Sequence, residues 1–87
     1  MGAEAKLKAM RLELPSMAAP AGAYVPAKRT GNLVYVAGQL PLNEGKLMCT
    51  GVVGRSVSID EAYAGARQCG LNILAVLKAQ TGSLDNI

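Results

Sequence analysis

Five consecutive residues, Leu33-Val-Tyr-Val-Ala37, carry no polar group beyond one tyrosine hydroxyl, and this run constrains the fold more than any other. The turn residues Gly31-Asn32 precede it and Gly38 follows, so it reads as a strand. Side chains alternate along a strand, which points Leu33, Tyr35 and Ala37 one way and Val34, Val36 and Gly38 the other. Both surfaces are apolar and both need cover. A chain of 87 residues cannot cover them twice, since area scaling lets it bury only about 60 to 65% of its extended surface. The run therefore predicts a small α/β domain that associates with copies of itself.

Composition narrows the partners. The chain is 51% hydrophobic with three Tyr, no Phe and no Trp, so its core is aliphatic and small-grained. Nine basic residues against six acidic ones give a charge of +3. The basic residues are scattered from Lys6 to Lys78 with no aromatic platform beside them, which reads as a solvated face and argues against nucleic acid. Cys49 and Cys69 are too far apart for a metal-ligand pair, and without His no zinc site can be completed. No metal or cofactor is expected. No segment reads as a secretory signal or as a membrane span, which points to two reduced, mostly buried thiols and a cytoplasmic setting.

Taken in order, residues Ala3 to Met10 predict a short helix, with Glu4 and Lys8 as an i,i+4 pair. Leu12-Glu13-Leu14 alternates like a small strand or an extended lead-in that Pro15 closes. Ser16 to Ala23 reads as an irregular arm, so residues 1–20 form a helix and arm ahead of a domain over 21–87. Tyr24 to Lys28 and Leu33 to Gln39 are expected to pair as a hairpin, the first strand interrupted by Pro26, which has no N–H to donate. Asn43-Glu44-Gly45-Lys46 is a polar turn, and Leu47 to Val53 a further short strand weakened by Gly51.

The long helix has explicit ends. Ser58-Ile-Asp-Glu61 is a capping box, Lys78 sits in the last turn and Gly82 serves as a left-handed cap. Between them Ile59, Ala62, Tyr63, Ala66, Cys69, Gly70, Ile73, Val76 and Leu77 recur at threes and fours, predicting one packing stripe. Ala62, Ala66 and Gly70 are expected to bring this face close to the strands. Ser83 to Ile87 resembles the run-in to another element.

The residues give little independent chemistry. With no His among them, Ser-His-Asp and Cys-His arrangements are excluded. Asp60 and Glu61 are accounted for by helix capping and Glu44 by a solvated turn. Gly51 and Gly54 lack the lysine and the strand-to-helix setting of a phosphate loop. Tyr24, a ring at a strand start, reads on its own as a packed aromatic with its hydroxyl at the rim.

A specific resemblance adds to this. Ala21-Gly-Ala-Tyr24, Pro26-Ala27, Thr30-Gly-Asn-Leu-Val-Tyr-Val-Ala-Gly-Gln-Leu-Pro41, Thr50-Gly51, and a helix with Asn72-Ile-Leu-Ala-Val-Leu-Lys78 before Gly82-Ser-Leu-Asp85 are similar to the N-terminal half of the Rid family. These are the YjgF-like proteins, also called L-PSP endoribonucleases. The similarity covers residues 21–87 in register, and the N-terminal helix with Leu12-Glu-Leu-Pro15 resembles a divergent branch.

The resemblance implies a chorismate-mutase-like α/β fold, assembled as a homotrimer with clefts between subunits. In its best understood branch it implies a deaminase, a hydrolase that turns enamines or imines into 2-oxo acids and ammonia. Matching cleft positions are Tyr24, as a ring beside the ligand, and Ala37, Gly38 and Gln39, where backbone groups approach it. Active deaminases usually carry a hydroxyl at the position of Ala37, and proline at that of Ala23. The arginine that grips the substrate carboxylate and the acid that handles water fall in the family's other half, and neither Arg29 nor Arg55 matches them. The alternative is a non-catalytic small-molecule-binding or scaffold oligomer of the same fold. Endoribonuclease activity is the third reading.

Overall fold

A computed structural model describes residues 2–16 and 22–87. Helix α1 spans Ala3–Ala9, strands β1 and β2 span Ala27–Thr30 and Leu33–Val36, and the two-residue strands β3 and β4 are Leu42–Asn43 and Lys46–Leu47. The long helix α2 follows as Ile59–Thr81, and a 3-10 turn, Leu84–Asn86, comes after it. The result is an α/β domain in which one helix lies across two small antiparallel hairpins. At 23 residues α2 is about 34 Å long, enough to span both.

Both hairpins are closed by residues that can turn tightly. Thr30 pairs with Leu33, leaving Gly31-Asn32 as a two-residue loop. Gly31 has φ 59° and Asn32 does not share it, which is the type II′ pattern whose twist suits a right-handed strand pair. In the second hairpin Glu44 and Gly45 have φ 53° and 82°, the type I′ pattern.

The strand expected over Leu33 to Gln39 ends at Val36, and two other expected strands shrink, each for a local reason. The first begins at Ala27 rather than Tyr24, because Pro26 cannot donate to the ladder. The one expected over Leu47 to Val53 ends at Leu47, since Val52 spends its backbone locally. Its N–H donates to Ser56 Oγ at 3.0 Å, and its carbonyl accepts from the amides of Arg55, Ser56 and Val57. Leu12-Glu13-Leu14 forms no strand. Of the arm expected over Ser16 to Ala23, residues 17–21 lie outside the described residues.

Helix α2 starts at the capping box read from the sequence, with the Glu61 amide donating to Ser58 Oγ at 3.1 Å and Glu61 Oε1 accepting from the Ser58 amide at 3.2 Å. Gly82 ends it at φ 82°, ψ −31°, a positive-φ cap outside the left-handed helical well. The face that packs inward differs from the expected stripe. Gly65, Asn72, Ala75 and Val76 are buried, whereas Ile59 and Tyr63 are 74% and 76% exposed. Close approach comes from Gly65, where a β-carbon would stand 3.0 Å from Cys49 Sγ, while Ala66 and Gly70 are exposed and Ala62 is half-buried. A counterpart is Asn72, whose Nδ2 donates to the carbonyls of Leu40 and Leu42 at 3.0 and 3.1 Å while its Oδ1 accepts from Gln68 Nε2. These bonds tie the helix to the chain leaving β2, and rotate the apolar stripe outward. Cys49 and Cys69 are free and half-buried.

The two ends of the chain clasp each other. The Glu4 amide, in the first turn of α1, donates to Asp85 Oδ1 at 3.0 Å, while Glu4 Oε2 accepts from the Leu84 amide at 2.9 Å and from Ser83 Oγ. Each helix start is capped by a carboxylate of the other. Lys78 Nζ adds an ion pair to Glu4 Oε1 at 3.2 Å, so Glu4 pairs across the fold and not with Lys8. Leu84 is buried at this junction. No helix among the described residues is long and apolar enough to cross a membrane.

Candidate functional site

The open end of the first hairpin gathers the residues singled out by the sequence. Beyond the pair Ala27–Val36, the Ala37 amide donates to the Pro26 carbonyl at 2.9 Å, which carries the register one step further. In an antiparallel pair of this kind the return bond would run from residue 26 to the Ala37 carbonyl. Pro26 has no N–H, and Gln39 Nε2 supplies the donor instead, at 3.1 Å from the Ala37 oxygen. A side chain thus completes the ladder where the backbone cannot.

This assignment decides which groups are left to meet a ligand. Both backbone groups of Ala37 are engaged, and so is the Gln39 amide nitrogen. Gly38 is exposed and makes no hydrogen bond to the described residues, and no atom lies within 4 Å of where its β-carbon would stand. Across the hairpin, Tyr24 is 47% exposed and its amide donates to the Gly22 carbonyl. Tyr24, Gly38 and Gln39 all lie within a few residues of this open end along the chain. Arg29 lies at the other end, where its Nε donates to the Gly31 carbonyl. A cavity of about 690 Å³ bordered by Leu14, Leu42, Asn43, Gln68 and Leu71 lies apart, and none of the four site residues lines it.

The sheet surface beside this end is bare. Ala27 is buried beneath α2, and Val34 and Val36, on the same side, are half-buried. On the opposite side Leu33 and Tyr35 are 59% and 61% exposed. Among the described residues no group of three His, Cys, Asp or Glu side chains is placed to hold a metal ion. Asn72 and Gln68 were not singled out by sequence reasoning; the signal was there, as two amides one turn apart in an apolar helix.

Comparison with known proteins places this arrangement. A family model described as "YjgF/chorismate_mutase-like, putative endoribonuclease" matches residues 4–87. Protein TCP17 of Trypanosoma cruzi is 37% identical over 83 residues, covering 95% of this chain and 52% of that protein. The crystal structure of a Shewanella oneidensis MR-1 protein bearing the same endoribonuclease label superposes with a TM-score of 0.89 at 38% identity, covering 97% of this chain and 56% of that one. Atu1372 of Agrobacterium tumefaciens, of unknown function, gives 0.76 at 42% identity over 92% of this chain and 48% of its own. The chain spans about half the length of these relatives. On the match across residues 4–87 and the shared fold, it belongs to the YjgF/chorismate-mutase-like family.

Proposed function

We propose that this chain supplies one wall of a small-molecule cleft completed between copies, in which an enamine or imine is hydrolysed to a 2-oxo acid and ammonia. The observation that carries the reading is the open hairpin end. Tyr24 stands near it, 47% exposed, and Gly38 has backbone N–H and C=O groups that no described residue bonds. In the reaction, water adds its oxygen to the imine carbon, the C–N bond breaks and nitrogen leaves as ammonia. The wall's part is positioning: a flat apolar ring excludes water from one side, and main-chain groups fix the polar atoms of the substrate. Leu33 and Tyr35, exposed beside the cleft, support a homotrimer closed through the sheet face. The carboxylate-gripping arginine and the acid that the resemblance implies belong to the half of the relatives this chain does not span.

The test is 2-oxo acid release from an imine generated in situ by an amino-acid dehydratase. Release above the buffer rate is expected, and a rate equal to buffer removes the enzymatic reading.

One observation favours a second reading, a binding or scaffold module without turnover. Ala37 stands where active deaminases carry a hydroxyl, and both its backbone groups are already engaged within the hairpin. That reading predicts ligand-dependent melting with no product. The endoribonuclease label of the family predicts RNA binding that weakens with salt. The scattered basic residues do not favour it.

A further inference from the structure

Gly22 stands two residues before Tyr24, and the two meet across a tight turn. The Tyr24 amide donates to the Gly22 carbonyl at 3.0 Å, an i to i+2 bond that closes a three-residue γ-turn about Ala23. Ala23 has no positive φ, so the turn is of the common inverse kind. It folds the Tyr24 ring back over the chain: a β-carbon added to Gly22 would stand 3.1 Å from Cε1 and 3.3 Å from Cδ1 of that ring. Carbon atoms pack best at about 3.5–4.0 Å, so a side chain here would press on the ring.

The backbone does not ask for glycine at this place. Gly31, Gly45, Gly51, Gly54 and Gly82 have positive φ, and Gly22 does not. Adjoining residues aside, no other described atom lies within 4 Å of the position its β-carbon would take. Among the described residues, the Tyr24 ring is therefore what a side chain at residue 22 would meet. Tyr24 is 47% exposed, so a ring pushed off this seat has solvent to move into.

We infer that Gly22 is a positioning residue for Tyr24, its bare Cα forming the seat that selects one rotamer of the ring. A ring already ordered loses less freedom when a ligand docks against it. The effect on a ligand rests on the proposal that Tyr24 lines the cleft, whereas the seat itself does not.

The test has two arms. By NMR of the whole chain, vicinal Hα–Hβ couplings of Tyr24 are expected to show one χ1 rotamer. The Gly22 α-protons should be shifted by the ring current, and Tyr24→Leu should remove that shift. Gly22→Val is expected to change the Tyr24 couplings, to averaged values or to another rotamer. Circular dichroism should stay the same, because residue 22 lies outside the helices and strands. Averaged couplings in the parent, or unchanged couplings in Gly22→Val, would overturn the inference.

The second arm is hydrolysis of the dehydratase-generated imine. Gly22→Val is expected to raise the apparent KM about two- to tenfold, the range for ordering one side chain, with kcat nearly unchanged. Tyr24→Leu should raise it as well, and Gly22→Val should add little in that background, where the seat has no ring to hold. Full additivity would show that Gly22 acts by another route and contradict the inference. A parent chain that releases no 2-oxo acid would remove the hydrolysis reading instead, and the couplings would still decide the seat.

Discussion

Asn72 is the residue on which the packing of the long helix turns. Its amide donates to the carbonyls of Leu40 and Leu42, on either side of Pro41, at 94% burial of the residue. Asn72→Leu keeps the branching of the side chain but strands those carbonyls, a cost of about 2 kcal/mol. A lowered urea midpoint at unchanged slope is expected; an unchanged midpoint would show that the carbonyls find other donors. Gln39 allows a sharper experiment, since it stands in for the N–H that Pro26 lacks. Gln39→Ala should cost about 1 kcal/mol alone and little in a Pro26→Ala background, where a backbone donor returns. Equal costs in both backgrounds would mean the side chain has a separate role. Neither of these structural roles was legible beforehand, although Gln39 was singled out as a cleft position. Both act through carbonyls whose position depends on the register of the hairpin, and a sequence shows the polar side chain without showing its distant acceptor.

Elements declared their ends better than their faces. Capping is local, so Ser58, Glu61 and Gly82 marked α2 correctly, and the Gly-containing pairs marked both hairpin turns. Which side of α2 faces inward is decided at a distance, by Gly65 against Cys49 and Asn72 against the loop, and a helix apolar on two sides gives no local clue. The clasp between α1 and the 3-10 turn was hidden for the same reason, its partners being 74 to 81 positions apart. It carries a pH prediction. The Glu4 carboxyl is held below its ordinary value of 4.5, first by the Leu84 amide and next by Lys78. Because its folded pKa is depressed, its contribution is complete above 4.5 and is lost as pH falls through the lower folded value. Hydrogen exchange should show α1 amides losing protection in that acid range, and Glu4→Gln should flatten the response. An identical pH profile in Glu4→Gln would assign the loss to another group.

Across the molecule, many large apolar side chains among the described residues are exposed. The buried hydrophobic residues among those described are Ala27, Val57, Ala75, Val76 and Leu84, with Leu33 and Tyr35 bare on one side and Ile59 and Tyr63 on the other. A core of this size stabilises these residues only marginally by themselves. The doubly apolar strand is the sequence feature on which the expectation of association rests, and the proposed site rests on the family resemblance and not on the residues alone. Tyrosine labelling by a nitrating reagent, mapped by mass spectrometry on the native protein, tests the central claim most directly, because Tyr35 reports the sheet face by itself. Protection of Tyr35 at high concentration, lost on dilution while the helix signal persists, is the predicted result. A folded chain whose Tyr35 reacts as fast as a free tyrosine at every concentration would contradict it, and with it the cleft shared between copies.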